Sequence, residues 1–197
     1  MLYTVFMSLT VGALAREVGL VVHVDAGLDR VVAWVHSTEL ADPTPFLEGG
    51  ELLLTTGIAL GPLARYVRRL VAAGAAGLGF GTGLSHDRVP DDLVRAARDA
   101  GLALLEVPRQ TPFIAITKAV SRAVAADEYA AVARTSEAQR ALTRAAVSDG
   151  PHGVVRRLAR LIDGGAALLD PRGSPVHVVG SVAELSGPEL AGQVRRL

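Results

Sequence analysis

Apolar residues along the chain alternate between two patterns, which predict strands and helices in turn. Short runs rich in Val and Leu indicate strands at 20–24, 31–35, 51–55, 76–80 and 102–107. Apolar residues spaced three and four apart predict helices at 11–18, 62–73 and 91–100. Because strands that alternate with helices need crossover connections, we expect an α/β domain over about residues 8–120, with a mostly parallel sheet and flanking helices.

From Pro112 onward the pattern becomes helical and continues without a breaker to about Val147, far beyond the 11–12 residues of an average helix. Beyond residue 124 the apolar face consists mostly of alanines, which is too weak to support a helix in water by itself. We therefore expect residues 121–150 to pair with a second copy of the chain, the alternative being a linker that lies along its own domain. The residues predicted for a dimer interface are Val120, Val124, Ala131, Val132 and Leu142.

The segment after residue 148 predicts a different, smaller arrangement. Asp149-Gly150-Pro151 ends the long helix, and a shorter amphipathic helix follows over about 154–162. Two short apolar runs, 166–169 and 176–179, predict a hairpin, and a further helix begins near residue 182. A hairpin and two helices make a poor core, so we expect 151–197 to be the start of an incomplete α+β domain.

Composition and charge exclude several classes of function. Lys+Arg and Asp+Glu are balanced at 20 each, whereas a domain that binds nucleic acid by itself is usually basic. The chain has no cysteine, its five histidines lack metal-ligand spacing, and no acid–base or nucleophile pair stands out. No apolar stretch approaches the roughly 20 residues of a membrane span. We therefore expect a cytoplasmic protein without catalytic activity, cofactor or metal.

The ends of the predicted strands carry the candidate binding chemistry. Parallel strands bring their carboxyl ends to one edge of a sheet, and ligands of open α/β sheets bind outside that edge. Here these ends carry hydroxyls, which can hydrogen-bond a ligand, and glycines, which allow close approach; the alternative is that they only cap strands and begin helices. The stretch GFGTG at 79–83 lacks the spacing of a nucleotide-binding loop. The predicted ligand-binding residues are Ser37, Thr55, Thr56, Gly57, Gly79, Gly81, Thr82 and Gly83, with Glu51 and Thr111 as further polar contacts.

Several stretches together resemble a known family. The stretch VAWVHSTELADPTPFLEGGELLLTTG at 32–57, GLGFGTG at 77–83 and LLEVPRQTPFIAITKAV at 104–120 are similar to the N-terminal domain of PucR-type transcription regulators. The resemblance implies a sensory domain at 8–120, a connector or dimerisation helix at 121–150 and the start of a truncated GAF-like middle domain at 151–197. It also implies that DNA is bound only through a helix-turn-helix in a C-terminal region missing from this chain.

The residues and the resemblance together predict a regulatory part of a bacterial transcription regulator. We expect a homodimer whose sensory domain binds a small metabolite, such as a purine, a ureide or an amino acid. The alternative is a pure interaction module that assembles the regulator and binds no small molecule.

Overall fold

A computed structural model of the chain describes residues 9–181, which belong to two compact units. The first unit extends to Tyr129 and the second begins at Ala130, inside the predicted connector. In the first unit the elements are α1 (Val11–Val18), β1 (Val21–Val24), β2 (Trp34–Ser37), β3 (Glu51–Thr55), α2 (Leu63–Ala72), β4 (Gly77–Gly81), α3 (Asp91–Ala100) and β5 (Ala103–Val107). They are followed by α4 (Phe113–Leu161), β6 (Ala166–Leu169) and β7 (Pro175–Val179).

The five strands of the first unit form one sheet in the order β1-β5-β4-β3-β2. Neighbours from β2 to β5 are parallel, whereas β1 is antiparallel to β5. The register aligns Leu53 with Leu78 and Leu78 with Leu104. This mostly parallel sheet confirms the predicted α/β fold class and brings the carboxyl ends of four strands to one edge.

Helices cover both faces of this sheet. On one face α1 and the first turns of α4 pack on the strands, and on the other face α2 and α3 do so. All residues of β3 and β4 are buried, because strands covered on both sides meet apolar neighbours whichever way a side chain points. The α4 residues in this core are Ile116, Ala119 and Val120, with Phe113 and Val124 packed against it.

The predicted strand at 31–35 is displaced in the structure, where β2 spans 34–37. The backbone at Val31 instead forms an antiparallel bridge with Thr10, and the Val32 N–H donates to the Leu9 carbonyl. The β-branched residues there satisfy their hydrogen bonds with the segment before α1 and not with the sheet. The sheet strand consequently begins at Trp34, whose side chain is half exposed.

The long helix is interrupted where the sequence predicts a break. Within α4, Gly150 adopts φ 66° and ψ −162°, which only glycine takes readily, and Pro151 follows without an N–H to donate. In the second unit β6 and β7 form an antiparallel hairpin, and Ala166 packs with Val155 and Ala159. The helix predicted from residue 182 lies outside the described residues. Among residues 9–181, no helix has the length and apolar character needed to cross a bilayer.

Candidate functional site

The turns that follow the parallel strands meet at one edge of the sheet, beside the start of α4. The β3 strand ends at Thr55, β4 at Gly81 and β5 at Val107, and each is followed by a polar turn. Crossover loops diverge at the carboxyl edge of such a sheet and leave space between them. Three structural features occupy this edge: two hydrogen-bonded glutamates and one cavity.

Glu39 joins the turn after β2 to the turn after β3. Its carboxylate accepts hydrogen bonds from the Thr55 hydroxyl at 2.9 Å, from the Thr56 N–H at 2.6 Å and hydroxyl at 2.9 Å, and from the Ile58 N–H at 3.2 Å. Burial alone would raise the pKa of Glu39, but these hydrogen bonds to the charged form outweigh it and hold the pKa below its usual value. Glu39 is therefore an ionised group that fixes the Thr-Thr-Gly turn.

Gly57 shapes the same turn. Its φ is 81°, in the left-handed region, and its N–H donates to the Thr55 hydroxyl oxygen at 3.1 Å. A Cβ at this position would lie 2.7 Å from the Phe80 ring. Glycine is thus required by backbone conformation and by close packing, which explains why the stretch 55–57 ends in glycine.

Glu106 forms a second hydrogen-bonded group, which joins β1, β5 and the turn after β4. One carboxylate oxygen lies 2.8 Å from His23 Nε2, and the other accepts from the Thr82 hydroxyl at 2.8 Å. The hydrogen bond with His23, and after it that from Thr82, lowers the pKa of Glu106 more than its partial burial raises it. The Thr82 hydroxyl is therefore already committed as a donor to an ionised carboxylate.

A cavity of about 140 Å³ opens between the turns after β4 and β5 and the first turn of α4. Its lining residues are mostly apolar, and the polar ones are three threonines and one arginine. The lining residues are Thr56, Gly81, Thr82, Leu84, Val107, Pro108, Arg109, Thr111, Pro112 and Phe113. Concave, mostly apolar sites with a few convergent polar groups are typical of small-molecule binding.

The glycine at position 81 keeps this cavity open. A Cβ added to Gly81 would lie 3.0 Å from the tip of the Phe113 ring, closer than ordinary van der Waals contact. Any side chain at Gly81 would therefore push the ring or fill the space beside it. Phe113 is the first residue of α4, so the start of the long helix forms part of the cavity wall.

The structure brings four of the predicted ligand-binding residues together at the cavity: Thr56, Gly81, Thr82 and Thr111. Three others, Thr55, Gly57 and Gly83, lie in the same turns but do not line it. The Thr55 hydroxyl is fully buried, donates to Glu39 and accepts from Gly57, so its hydrogen-bonding capacity is used within the protein.

The remaining predicted residues lie away from the cavity. Gly79 is buried inside β4, where a Cβ would come within 2.5 Å of a Leu54 methyl, so its role is to let neighbouring strands pack. Ser37 is exposed at the end of the edge strand β2. Glu51 is at the opposite, amino end of β3, and its carboxylate accepts from the Glu48 and Gly49 N–H groups. Its position at that end separates it from the cavity.

Several residues at this edge were not predicted, among them Glu39, Arg109 and Phe113. Glu39 and Arg109 follow the ends of β2 and β5, Phe113 begins α4, and the importance of each depends on which distant turn it meets. Two signals in the sequence were available: the polar residue types at 37–39 after β2, and the Pro-Arg pair after β5. Neither signal indicates that Glu39 contacts the turn after β3 or that Arg109 lines a cavity.

The residues predicted for a dimer helix have different environments. Val120 is buried in the core of the first unit, and Val124 packs against that core, so both contact their own domain. Ala131 and Val132 are exposed, and Leu142 is half-buried. The stretch of α4 that is free to meet another molecule therefore begins near Tyr129, whose side chain is 82% exposed.

Comparison with known proteins adds two matches. A model of the purine catabolism regulatory protein-like family, PucR, matches residues 10–124, which is more than half of the chain. The chain is also 30% identical, over 162 residues, to the transcriptional activator PmfR of Paenarthrobacter nicotinovorans. That alignment covers 80% of this chain and 34% of the relative, so the chain spans about a third of the length of that protein. No solved structure matches the chain.

Proposed function

The chain belongs to the purine catabolism regulatory protein-like family, PucR, and from this we propose that it is the ligand-sensing and dimerising part of a bacterial transcription regulator. The relative is named as a transcriptional activator, which supports a role in controlling transcription. The formal net charge of this chain is zero, so we assign DNA binding to other parts of the regulator. Such a regulator acts in the cytoplasm.

The observation that carries this proposal is the cavity whose wall includes the first turn of α4. Pro112 and Phe113 line it, and Ile116 and Val120, one and two turns further along, are buried against the sheet. A molecule that fills the cavity contacts the helix directly at its start. It can shift the helix between two positions only if it binds one of them more tightly than the other.

We propose that a small metabolite of the purine, ureide or amino-acid type occupies this cavity. Arg109 and Thr111 supply hydrogen-bonding groups, and Gly81 allows close approach. The test is a thermal-shift screen of the chain against these three classes of compound. A ligand at 100 times its dissociation constant adds about 2.7 kcal/mol of stability, enough to raise the melting temperature by a few degrees.

Gly81→Ala is expected to weaken the binding of any compound found in this screen by about tenfold, because the added methyl group crowds Phe113 and reduces the cavity. The matched control is Gly61→Ala, since Gly61 is exposed and an added Cβ there meets no atom within 4 Å. Isothermal titration calorimetry of both variants measures the effect. Equal affinities in the two variants would show that the compound binds somewhere else.

We further propose that the exposed stretch of α4 pairs with a second copy of the chain. Val132→Glu is expected to convert the dimer into monomer at micromolar concentration, because a charge would enter an apolar contact without a partner. Light scattering after size exclusion gives the mass. Val22→Glu, on the exposed face of β1, is the control that keeps the dimer. A dimer that survives Val132→Glu would move the interface away from this part of α4.

A second candidate function is an interaction module without a metabolite. It is favoured by three exposed apolar side chains that follow strand ends or begin α4 at the same edge: Ile58 at 71%, Leu84 at 68% and Ile114 at 59% exposure. Exposed apolar residues grouped on one surface are typical of protein contact sites. If no metabolite in the screen binds and the dimer is stable, the interaction module is favoured over the ligand sensor.

A further inference from the structure

The cavity lining contains one charged side chain, Arg109. Arg109 is exposed, and none of the hydrogen bonds or ion pairs found within residues 9–181 involves its guanidinium. The lining contains no carboxylate that could neutralise it. A guanidinium presents a planar set of donors that matches a carboxylate in two parallel hydrogen bonds.

The hydroxyls of the lining divide into two kinds. The hydrogens of the Thr56 and Thr82 hydroxyls are donated to the carboxylates of Glu39 and Glu106. Both carboxylates have lowered pKa values and so are ionised near neutral pH, when they can only accept. An added Cβ at Gly81 would meet the Thr56 methyl group at 3.5 Å, and neither Glu39 nor Glu106 belongs to the lining, so both hydroxyls are directed at carboxylates outside the cavity. The Thr111 hydroxyl has no described partner and remains free to donate, on the same connection as Arg109.

The walls and the volume limit the body of the ligand. Five lining side chains are apolar: Leu84, Val107, Pro108, Pro112 and Phe113. The cavity volume is about 140 Å³, and an apolar cavity of roughly 150 Å³ accommodates benzene. Part of the ligand thus lies against apolar side chains and has about the size of a six-membered ring. Its polar end is directed toward the exposed guanidinium.

We infer that this site takes a small organic acid, with its carboxylate on Arg109 and Thr111 and a ring-sized body against Phe113. This inference rests on the proposed metabolite site and specifies its ligand class. A cationic compound would find no carboxylate in the lining and would meet the positive charge of Arg109.

The test uses two probes of matched size, benzoate and benzamide. Benzamide has the ring of benzoate without its charge. Their dissociation constants are measured by calorimetry with the 197-residue chain, and amide chemical shifts of Gly81 and Phe113 report whether the probe is in the cavity. We expect benzoate to bind at least roughly tenfold more tightly than benzamide.

Two variants separate the charge from general effects on the protein. Arg109→Gln is expected to abolish the preference for benzoate over benzamide, because it removes the positive charge and keeps a side chain of similar length. Arg68→Gln is the control, since Arg68 is exposed on α2 and does not line the cavity. This control should retain the full preference. Arg109→Lys should retain part of it, because lysine keeps the charge without the planar pair of donors.

Two results would overturn the inference, and they differ in what they mean for the proposed function. If benzamide binds as well as benzoate and Arg109→Gln changes neither, the ligand is not an acid, but the metabolite site stands. If neither probe shifts the amide resonances of Gly81 and Phe113, and no purine, ureide or amino acid in the screen binds, the sensor function fails as well.

Discussion

Replacing Ile116 by alanine is expected to lower the free energy of unfolding of the first unit by about 2–5 kcal/mol. Ile116 is completely buried on α4, in the core cluster that includes Leu105 and Val107 of the sheet. Truncation removes buried methyl groups and leaves a cavity that close-packed neighbours only partly fill. Urea denaturation followed by circular dichroism measures the change.

The same helix supplies the control for this prediction. Ile114 is two residues earlier on α4 and is 59% exposed, so Ile114→Ala removes the same atoms from a largely hydrated position. Its expected effect is within about 0.5 kcal/mol. If both substitutions cost the same, the side of α4 that faces the sheet has been misassigned, and the proposed coupling between cavity and helix loses its basis.

The second large effect is expected at Glu39. Glu39→Ala should destabilise the first unit by about 2–3 kcal/mol, because the buried Thr55 hydroxyl and the Thr56 N–H lose their acceptor. Glu48→Ala is a matched control, since Glu48 is exposed on the same β2–β3 connection and no hydrogen bond is found for its side chain within residues 9–181. Denaturant midpoints of the two variants should differ by most of the predicted amount. A Glu39→Ala protein as stable as Glu48→Ala would mean that water replaces the carboxylate without cost.

The pH dependence of stability provides an independent check on Glu39. Its folded-state pKa is lower than the value of 4.5 for a free glutamate, so in acid the unfolded state binds more protons than the folded state. The stabilisation is therefore complete above about pH 4.5 and is lost as the pH falls through the folded-state pKa. Glu39→Gln should show a shallower loss of stability than the unmodified chain between about pH 5 and pH 3. Part of the slope remains in the variant, because Glu106 also has a lowered pKa.

The predicted elements agree closely with the structure where local signals are complete. The bounds of α1, α3 and β3 are as predicted, since each has a clear apolar pattern between a helix-starting or strand-starting residue and a glycine or turn. The strand predicted at 31–35 was displaced because local β propensity does not specify the partner. Val31 forms its bridge with Thr10, a contact that depends on the whole unit.

The location of the site was predicted better than the residues that form it. Four of the ten predicted residues line the cavity because parallel strands necessarily bring their carboxyl ends together. Thr55 was predicted as a ligand contact from its hydroxyl alone, whereas the structure commits that hydroxyl to Glu39. The prediction for Val120 treated an apolar helix position as free for a partner copy, although the sheet of its own unit buries it.

The sequence by itself determined the α/β fold, the order of its elements, the break at Gly150 and the family of the chain, because these depend on local patterns and on motifs in a fixed order. Only the tertiary structure decided which polar groups are hydrogen-bonded inside the protein and which face open space. Glu39 and Thr55 are 16 residues apart, and Thr82 and Glu106 are 24 apart. Pairings across such distances follow from the packing of crossovers, which no local pattern encodes, and they leave Arg109 and Thr111 as the free donors of the cavity.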